Sequence, residues 1–116
     1  MPTSMPQQTL LTHDSFYDFM HSHRFAVIHF WATWNGYDHI MRRLLESQIT
    51  EDFREQVAFA SLDIEPPAHQ ELCNQHNVLN VPFLAFYRDG SLRRTVTGMR
   101  TPDVITEYLR DLVYGA

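Results

Sequence analysis

The sequence is poor in cysteine, because Cys73 is the only one among 116 residues. A lone cysteine excludes an intramolecular disulfide and any Cys-based zinc cluster, and it gives no sign of an oxidising compartment. Histidine offers no substitute, since Asp38 and His39 are adjacent and adjacent helical residues point in different directions. We therefore expect no metal and no cofactor.

Positive charge and long apolar runs are also scarce. Acidic residues outnumber basic ones by 14 to 9, the net charge is −5 and no Lys/Arg run occurs, which argues against a nucleic-acid binder. The longest apolar stretch, residues 25–32, is interrupted by His29 and is far shorter than the roughly 20 residues of a membrane-spanning helix. The N-terminal MPTSMPQQT lacks the basic and apolar regions of a secretory signal. We expect a cytoplasmic protein that binds neither nucleic acid nor membranes.

The length and composition of the chain match one globular domain. The chain is 44% hydrophobic and 20% charged, and 116 residues can bury a core but are too few to divide into two domains. We therefore treat residues 1–116 as a single domain in which residues 1–7 form a flexible leader.

Hydrophobic periodicity predicts alternating strands and helices in the first half of the chain. A brief strand at residues 9–11 precedes a helix capped by Thr12 or Asp14. Residues 26–32 are β-formers without clean alternation, which is typical of a central, parallel strand covered on both faces. Apolar residues then recur at steps of three and four, which predicts a long amphipathic helix over residues 38–53.

In the second half of the chain, the pattern of β-forming and turn residues predicts a strand at residues 57–64, a short helix containing Cys73, and a hairpin. The hairpin strands, residues 81–87 and 92–97, flank an Arg-Asp-Gly-Ser turn signal and should be antiparallel neighbours. The last helix begins at residues 101–103, where Thr, Pro and Asp supply an N-cap, a first helical proline and an acidic first turn.

Five short motifs follow one another along the chain: IHFWA at residues 28–32, WNGYD at residues 34–38, Val81-Pro82, Asp89-Gly90 and Gly98. In order and spacing they resemble the thioredoxin family over almost the whole chain, although any one alone would be weak evidence. The resemblance implies an α/β thioredoxin fold, with a central mixed sheet of about five strands flanked by about four helices. It also implies a cis peptide bond before Pro82.

The resemblance ends at the chemistry of the active site. Family members carry Trp-Cys-Gly-Pro-Cys, and the first thiolate attacks a disulfide from a helix N-terminus. Here Asn35 and Asp38 occupy the two cysteine positions, and neither an amide nor a carboxylate can form a mixed disulfide. His29, Ser61 and Arg43 stand where the family has a buried aspartate, a lysine and a helix-kinking proline. The resemblance thus implies a redox-inactive member without catalytic residues.

The residues at the former cysteine positions suit a helix start. Asn35 is a good N-cap and Asp38 is favoured in the first turn, and each is expected to stabilise the helix by about 0.5 to 1 kcal/mol. One interpretation of this stretch is a capped turn and nothing more. The other is a binding surface from which the thiols have gone.

In the resembling family this surface binds an extended polypeptide, partly by backbone hydrogen bonds to the residue before the cis-proline, here Val81. The leading hypothesis is therefore a protein-interaction, chaperone-like or assembly module, present as a monomer or weak dimer. The partner-binding residues that it implies are Trp34, Asn35, Gly36, Tyr37, Asp38, Val81, Pro82, Gly98 and Met99.

Two alternatives stay open. Cys73 alone could support a weak thiol oxidoreductase or a redox sensor in cell redox homeostasis, although its apolar neighbours favour burial as a small hydrophobe. A purely structural role as one subunit of a larger complex is the second alternative. His29 is expected to be a neutral, hydrogen-bonded core residue rather than a proton-handling one.

Overall fold

The computed structural model describes residues 8–115 of the chain. At their centre lies a mixed sheet of five strands. The strands are β1 (Thr9–Leu10), β2 (Phe25–Trp31), β3 (Val57–Asp63), β4 (Phe83–Arg88) and β5 (Ser91–Thr97). They lie in the order β1-β3-β2-β4-β5, with β3 parallel to both β1 and β2. β4 is antiparallel to β2 and to β5, so the predicted hairpin is confirmed.

Four α-helices cover this sheet within the described residues. They are α1 (Phe16–Ser22), α2 (Gly36–Leu45), α3 (Gln70–Gln75) and α4 (Pro102–Tyr114), with short 3-10 helices at Gln48–Phe53 and Pro67–His69. The predicted α/β architecture is confirmed, whereas the predicted flexible leader, residues 1–7, lies outside the described residues. None of these helices has the length and apolar character needed to cross a membrane.

The central strand β2 is covered on both faces, as its sequence predicts. Alternate side chains of a strand point to opposite sides, so Ile28 and Phe30 pack toward α1 and α3, whereas Val27 packs toward α2 and α4. His29 belongs to the second set and is 1% exposed. Because a buried polar group needs a hydrogen-bond partner, the imidazole must find one on the α2 side of the sheet.

The single helix predicted over residues 38–53 is wrong in length. α2 begins at Gly36 and ends at Leu45, and a separate 3-10 helix follows. The Ser47 hydroxyl donates to the Leu44 carbonyl, and the Thr50 hydroxyl donates to the carbonyls of Leu45 and Ser47. These hydroxyls bind carbonyls that a continuing helix would pair with its own N–H groups, and this local competition ends the α-helix.

The predicted cap of α1 is wrong, because neither Thr12 nor Asp14 occupies the N-cap position. Ser15 occupies the N-cap position, and its side chain makes no cap hydrogen bond into the helix. Thr12 instead exchanges hydrogen bonds with Ser15 one turn earlier: Thr12 N–H donates to Ser15 Oγ at 2.9 Å, and Ser15 N–H donates to Thr12 Oγ1 at 3.3 Å. Thr12 therefore stabilises the entry turn, and Asp14 is not the cap.

The start of α4 is as predicted. Pro102 is its first residue, and Thr101 Oγ1 accepts a hydrogen bond from the Val104 N–H at 3.4 Å. Gly98, at the end of β5, has a φ of 89°, a left-handed conformation that glycine adopts without steric cost. This turn brings the chain from the sheet edge into α4.

Candidate functional site

Three segments meet at one end of the sheet: the turn after β2, the loop before β4 and the end of β5. The topology requires this, because β2 ends where its antiparallel neighbour β4 begins, and β5 runs back to the same end of the sheet. Asn35 Nδ2 donates to the Val81 carbonyl at 3.1 Å, and the Gly98 N–H donates to the Pro82 carbonyl at 2.8 Å. The Val81–Pro82 peptide bond is cis. The fold thus brings the predicted site residues together.

Asn35 caps α2 as predicted and also makes a contact that the sequence does not reveal. Its backbone is extended, with φ −93° and ψ 114°, and its Oδ1 accepts the Tyr37 N–H at 3.0 Å. The same amide donates to Val81. The Asn35 side chain therefore links the start of α2 to the loop before β4. The Val81 carbonyl that it binds belongs to the residue that, by the resemblance, hydrogen-bonds a docked peptide. A carbonyl oxygen has two lone pairs, so a second donor can still bind it.

Asp38 does not lie on the surface, and its place in the predicted partner-binding set is wrong. The side chain is 0% exposed. Its Oδ1 accepts from His29 Nε2 at 2.9 Å, and its Oδ2 accepts from the Ala32 N–H at 3.0 Å. The carboxylate is not a solvated charge in the first helical turn. It joins α2 to the end of β2 inside the core.

His29 is a hydrogen-bonded core residue, as expected. We assign its proton to Nε2, because the neighbouring carboxylate of Asp38 can only accept. Its Nδ1 is buried without a hydrogen-bond partner. The adjacent strands place Ser61 and Leu84 beside it in register, and Ser61 is 4% exposed. No second charged group therefore comes from these two strand positions.

The pairing of His29 with Asp38 was missed, although the sequence carried a signal for it. The resemblance places His29 at the family's buried aspartate and Asp38 at its second cysteine, two positions that act on one another in the family. A base at one and an acid at the other could have been predicted to pair. Asp38 was instead interpreted by the general preference for acidic residues in the first helical turn. That preference applies to exposed helix ends, whereas Asp38 is buried.

Two aromatic side chains stand exposed around the turn. Trp34 is 69% exposed and Tyr37 is 63% exposed. The Trp34 indole N–H donates to Glu65 Oε2 at 3.0 Å, and Glu65 Oε1 also accepts from the Thr33 hydroxyl at 3.2 Å. The indole is thus hydrogen-bonded through its N–H while most of its surface remains open to solvent.

Trp34 separates two surface hollows. The helix-side hollow, about 580 Å³, is lined by residues that include Trp34, Gly36, Tyr37, His39, Ile40 and Arg43. The loop-side hollow, about 350 Å³, is lined by residues that include Trp34, Asn35, Val78, Leu79 and Val81. Both hollows combine apolar walls with a few polar groups, which is the usual make-up of a ligand-binding surface.

The remaining predicted residues differ in accessibility. Gly36 is exposed, and Val81, Gly98 and Met99 are half-buried. Pro82 is buried, so it shapes the loop rather than offering contact area. The accessible part of the predicted surface therefore consists of Trp34 to Tyr37, Val81 and the Gly98-Met99 pair.

A third hollow, about 330 Å³, lies between the β4–β5 hairpin and α4 and contains no predicted site residue. Arg88 and Arg94 line it, but Arg88 Nη1 donates to the Gly115 carbonyl at 2.8 Å and Arg94 pairs with Asp111 at 3.7 Å. These contacts tie the C-terminal helix to the hairpin. We assign them to the stability of the fold.

Cys73 is buried, as expected. It is 5% exposed and packs in the core between the sheet and the α1 and α3 helices. Burial raises the pKa of its thiol above the ordinary value of 9.0, and the negative charge of Asp63 adds to the rise. The thiolate, which is the nucleophilic form, is therefore depleted at neutral pH.

Metal ligation finds no support in the described part of the chain. Residues 8–115 contain no group of three His, Cys, Asp or Glu side chains placed to hold a metal ion. His39, the nearest histidine to the turn, has its Nε2 hydrogen-bonded to the Thr33 carbonyl at 2.7 Å.

Comparisons with known proteins agree with the fold. The family model named Thioredoxin matches residues 7–111. A protein disulfide-isomerase of Ricinus communis is 32% identical over 90% of this chain, which spans only 22% of that protein. A thioredoxin of Mycolicibacterium smegmatis is 26% identical, with 87% of this chain and 90% of the relative covered. The crystal structure of thioredoxin from Trypanosoma brucei brucei superposes with a TM-score of 0.78 at 25% identity, covering 97% of this chain and 96% of that one.

Asp38→Ala should destabilise the protein by about 2 to 5 kcal/mol, because it leaves His29 Nε2 and the Ala32 N–H buried without an acceptor. Urea unfolding at neutral pH measures the change. Asp103→Ala is the matched control, since Asp103 is an exposed aspartate in the first turn of α4 and should cost less than about 1 kcal/mol. Equal losses in the two variants would contradict the buried role of Asp38.

The Cys73 thiol should react with an aromatic disulfide reagent at least about tenfold more slowly in the folded protein than in denaturant at about pH 8. Because the folded pKa is raised, the native rate should keep increasing with pH above 9.0. Equal folded and unfolded rates would show that the thiol is accessible and ionised normally.

Proposed function

This chain belongs to the thioredoxin family, and from that premise we propose that it is a redox-inactive member that binds a polypeptide partner at the former active-site surface. The observation that carries the proposal is the exposure of Trp34 and Tyr37 around a helix start that has no thiol.

The loss of dithiol chemistry is supported by how the substituting residues are used. The Asn35 amide is occupied by Tyr37 and Val81, and the Asp38 carboxylate is buried against His29. Cys73 cannot replace the missing thiols at this place, because it packs on the α1 and α3 side of the sheet, whereas α2 packs on the other side. Nothing at the turn can form the covalent intermediate of thiol–disulfide exchange.

A retained binding role is supported by apolar surface that the fold does not need. The helix start requires only its cap, yet Trp34, Tyr37 and Leu79 leave 69%, 63% and 80% of their surfaces in water. Aromatic side chains held in place are typical anchors of protein interfaces, since they supply large contact area at low entropic cost. The hydrogen-bonded, exposed indole of Trp34 fits this description.

The loop before β4 supports docking of an extended chain. Within residues 8–115 the Val81 N–H makes no hydrogen bond, while the Val81 carbonyl accepts only from Asn35. A partner strand can therefore accept from the N–H and share the carbonyl, in a short form of strand addition. Main-chain contacts of this kind bind extended polypeptides of many sequences, which fits an interaction or assembly module.

A redox role for Cys73 alone is the second candidate, and the geometry supports it less. The thiol is buried and its pKa is raised, whereas reactive cysteines are accessible and have lowered pKa values. A cytoplasmic location and a monomeric or weakly dimeric state stay predictions from the sequence.

In an insulin-reduction assay with dithiothreitol, the purified protein should give no turnover above the reagent background. The physical reason is the absence of two thiols at the turn. An active thioredoxin with the Cys-Gly-Pro-Cys sequence serves as the positive control. Turnover at a comparable rate that persists in Cys73→Ser would refute the redox-inactive assignment.

The double variant Trp34→Ala/Tyr37→Ala should recover its partners at least about tenfold less well than the unchanged protein in affinity purification from native cells, because both anchors are lost. Quantitative mass spectrometry measures the ratio for each co-purifying protein. The matched control is Tyr114→Ala/Leu92→Ala, which truncates two side chains that are 67% and 47% exposed on α4 and β5. Equal recovery by both double variants would place the interface elsewhere.

A further inference from the structure

The exposed face of α2 continues the apolar surface beyond Trp34. Tyr37, Ile40 and Arg43 follow at steps of three, so they lie on one side of the helix. Tyr37 is 63% exposed and Ile40 is 45% exposed, and together with Trp34 they form the walls of the helix-side hollow. An isolated exposed apolar residue is ordinary, whereas three around one hollow indicate an interaction surface.

The charge of this hollow is unlike that of the whole protein. The net charge of the chain is −5, yet no Asp or Glu lines the helix-side hollow and exposed Arg43 does. Within the described residues the side chain of Arg43 makes no hydrogen bond or ion pair. Its neighbour Arg42, by contrast, pairs with Glu46 at 3.5 Å and lies over the Trp31 ring. Arg43 is therefore a cation available to a carboxylate from outside the chain.

The acidic and basic groups around Trp34 differ in their relation to the hollow. The indole N–H binds the carboxylate of Glu65, which lines neither the helix-side nor the loop-side hollow. Arg43, whose guanidinium has no partner among the described residues, does line the helix-side hollow. Electrostatic complementarity of this kind suppresses incorrect partners and fixes the register of the correct one. A docked segment should accordingly place its negative charge at the α2 end.

The separation of Ile40 and Arg43 on α2 indicates which residues of a docked segment can contact both side chains. Ile40 and Arg43 are three residues apart, about 4.5 Å along the helix axis, and the reach of the arginine side chain adds to this separation. In an extended chain, residues two apart lie on one face and about 6.6 Å from each other. A large apolar side chain in the hollow and an acidic residue two positions away from it can therefore contact Ile40 and Arg43 together.

We propose that the helix-side hollow selects an extended partner segment in which a large apolar residue and an acidic residue stand two positions apart. The apolar side chain lies against Trp34, Tyr37 and Ile40, and the carboxylate binds Arg43. This inference rests on the proposed function, because it names the chemistry of the polypeptide that crosses the former active site. It adds a second contact region to the one at Val81.

A phage-displayed library of random, disulfide-free peptides tests the proposal when selected in parallel on the unchanged protein, Arg43→Glu, Arg110→Glu and Trp34→Ala. On the unchanged protein, Asp and Glu should be enriched at least about tenfold over Lys and Arg at the position two residues from a large apolar residue, on one side of it. Arg43→Glu should reverse this preference. Arg110→Glu, an equal charge change at an exposed position of α4, should leave it unchanged.

The other outcomes separate this inference from the function on which it rests. Peptides that need Trp34 but show no acidic preference, or whose preference survives Arg43→Glu, would overturn the inference and leave the function standing. Failure to enrich any peptide that depends on Trp34 would reject both.

An NMR titration with a selected peptide locates the peptide-binding surface independently, through changes in the backbone amide chemical shifts. The signals of Tyr37, Ile40 and Arg43 should move along with that of Val81. Shifts at Val81 without shifts on α2 would also overturn the inference, because the peptide would then bind only the loop side.

Discussion

The carboxylate of Asp38 is the contact on which the geometry of the site depends. It is fully buried, accepts from His29 on the central strand and from the Ala32 N–H at its end, and so fixes where α2 begins relative to β2. Asn35 can then cap the helix and reach Val81, and Trp34 is left on the outside of the turn. Charge burial is costly unless the partners are correctly placed, and this makes the arrangement specific to one conformation.

The two residues at the family's cysteine positions, Asn35 and Asp38, take part in a network of hydrogen bonds. In the resembling family a pair of thiols occupies the helix start, and here an amide and a carboxylate tie it to two neighbouring segments. Such a network strengthens the scaffold while removing the nucleophile, which is consistent with a surface that binds without reacting. Exposed Trp34 and Tyr37 add apolar area to this turn, and aromatic side chains of this kind are common at protein interfaces.

The caps of α2 and α4 were predicted from their sequence neighbours, whereas the errors at the two ends of α2 had different sources, one local and one distant. The caps at Asn35 and Thr101 depend on residues two and three positions away, so sequence neighbours suffice to recognise them. The end of α2 was misplaced because the hydroxyls of Ser47 and Thr50 compete for helical carbonyls, an effect that hydrophobic periodicity does not contain. Asp38 was misplaced because a general rule for helix ends was overridden by the buried imidazole of His29.

The sequence by itself determined the family, the order of the strands and helices along the chain, and the absence of thiols from the turn, because these follow from motif order, periodicity and residue identity. Only the tertiary structure decided that His29 pairs with Asp38, that Asn35 reaches Val81 across 46 positions, and that Arg43 stands unpaired beside exposed Trp34. The physical reason is that burial and hydrogen bonding between distant residues depend on which strands become neighbours and which face each side chain takes.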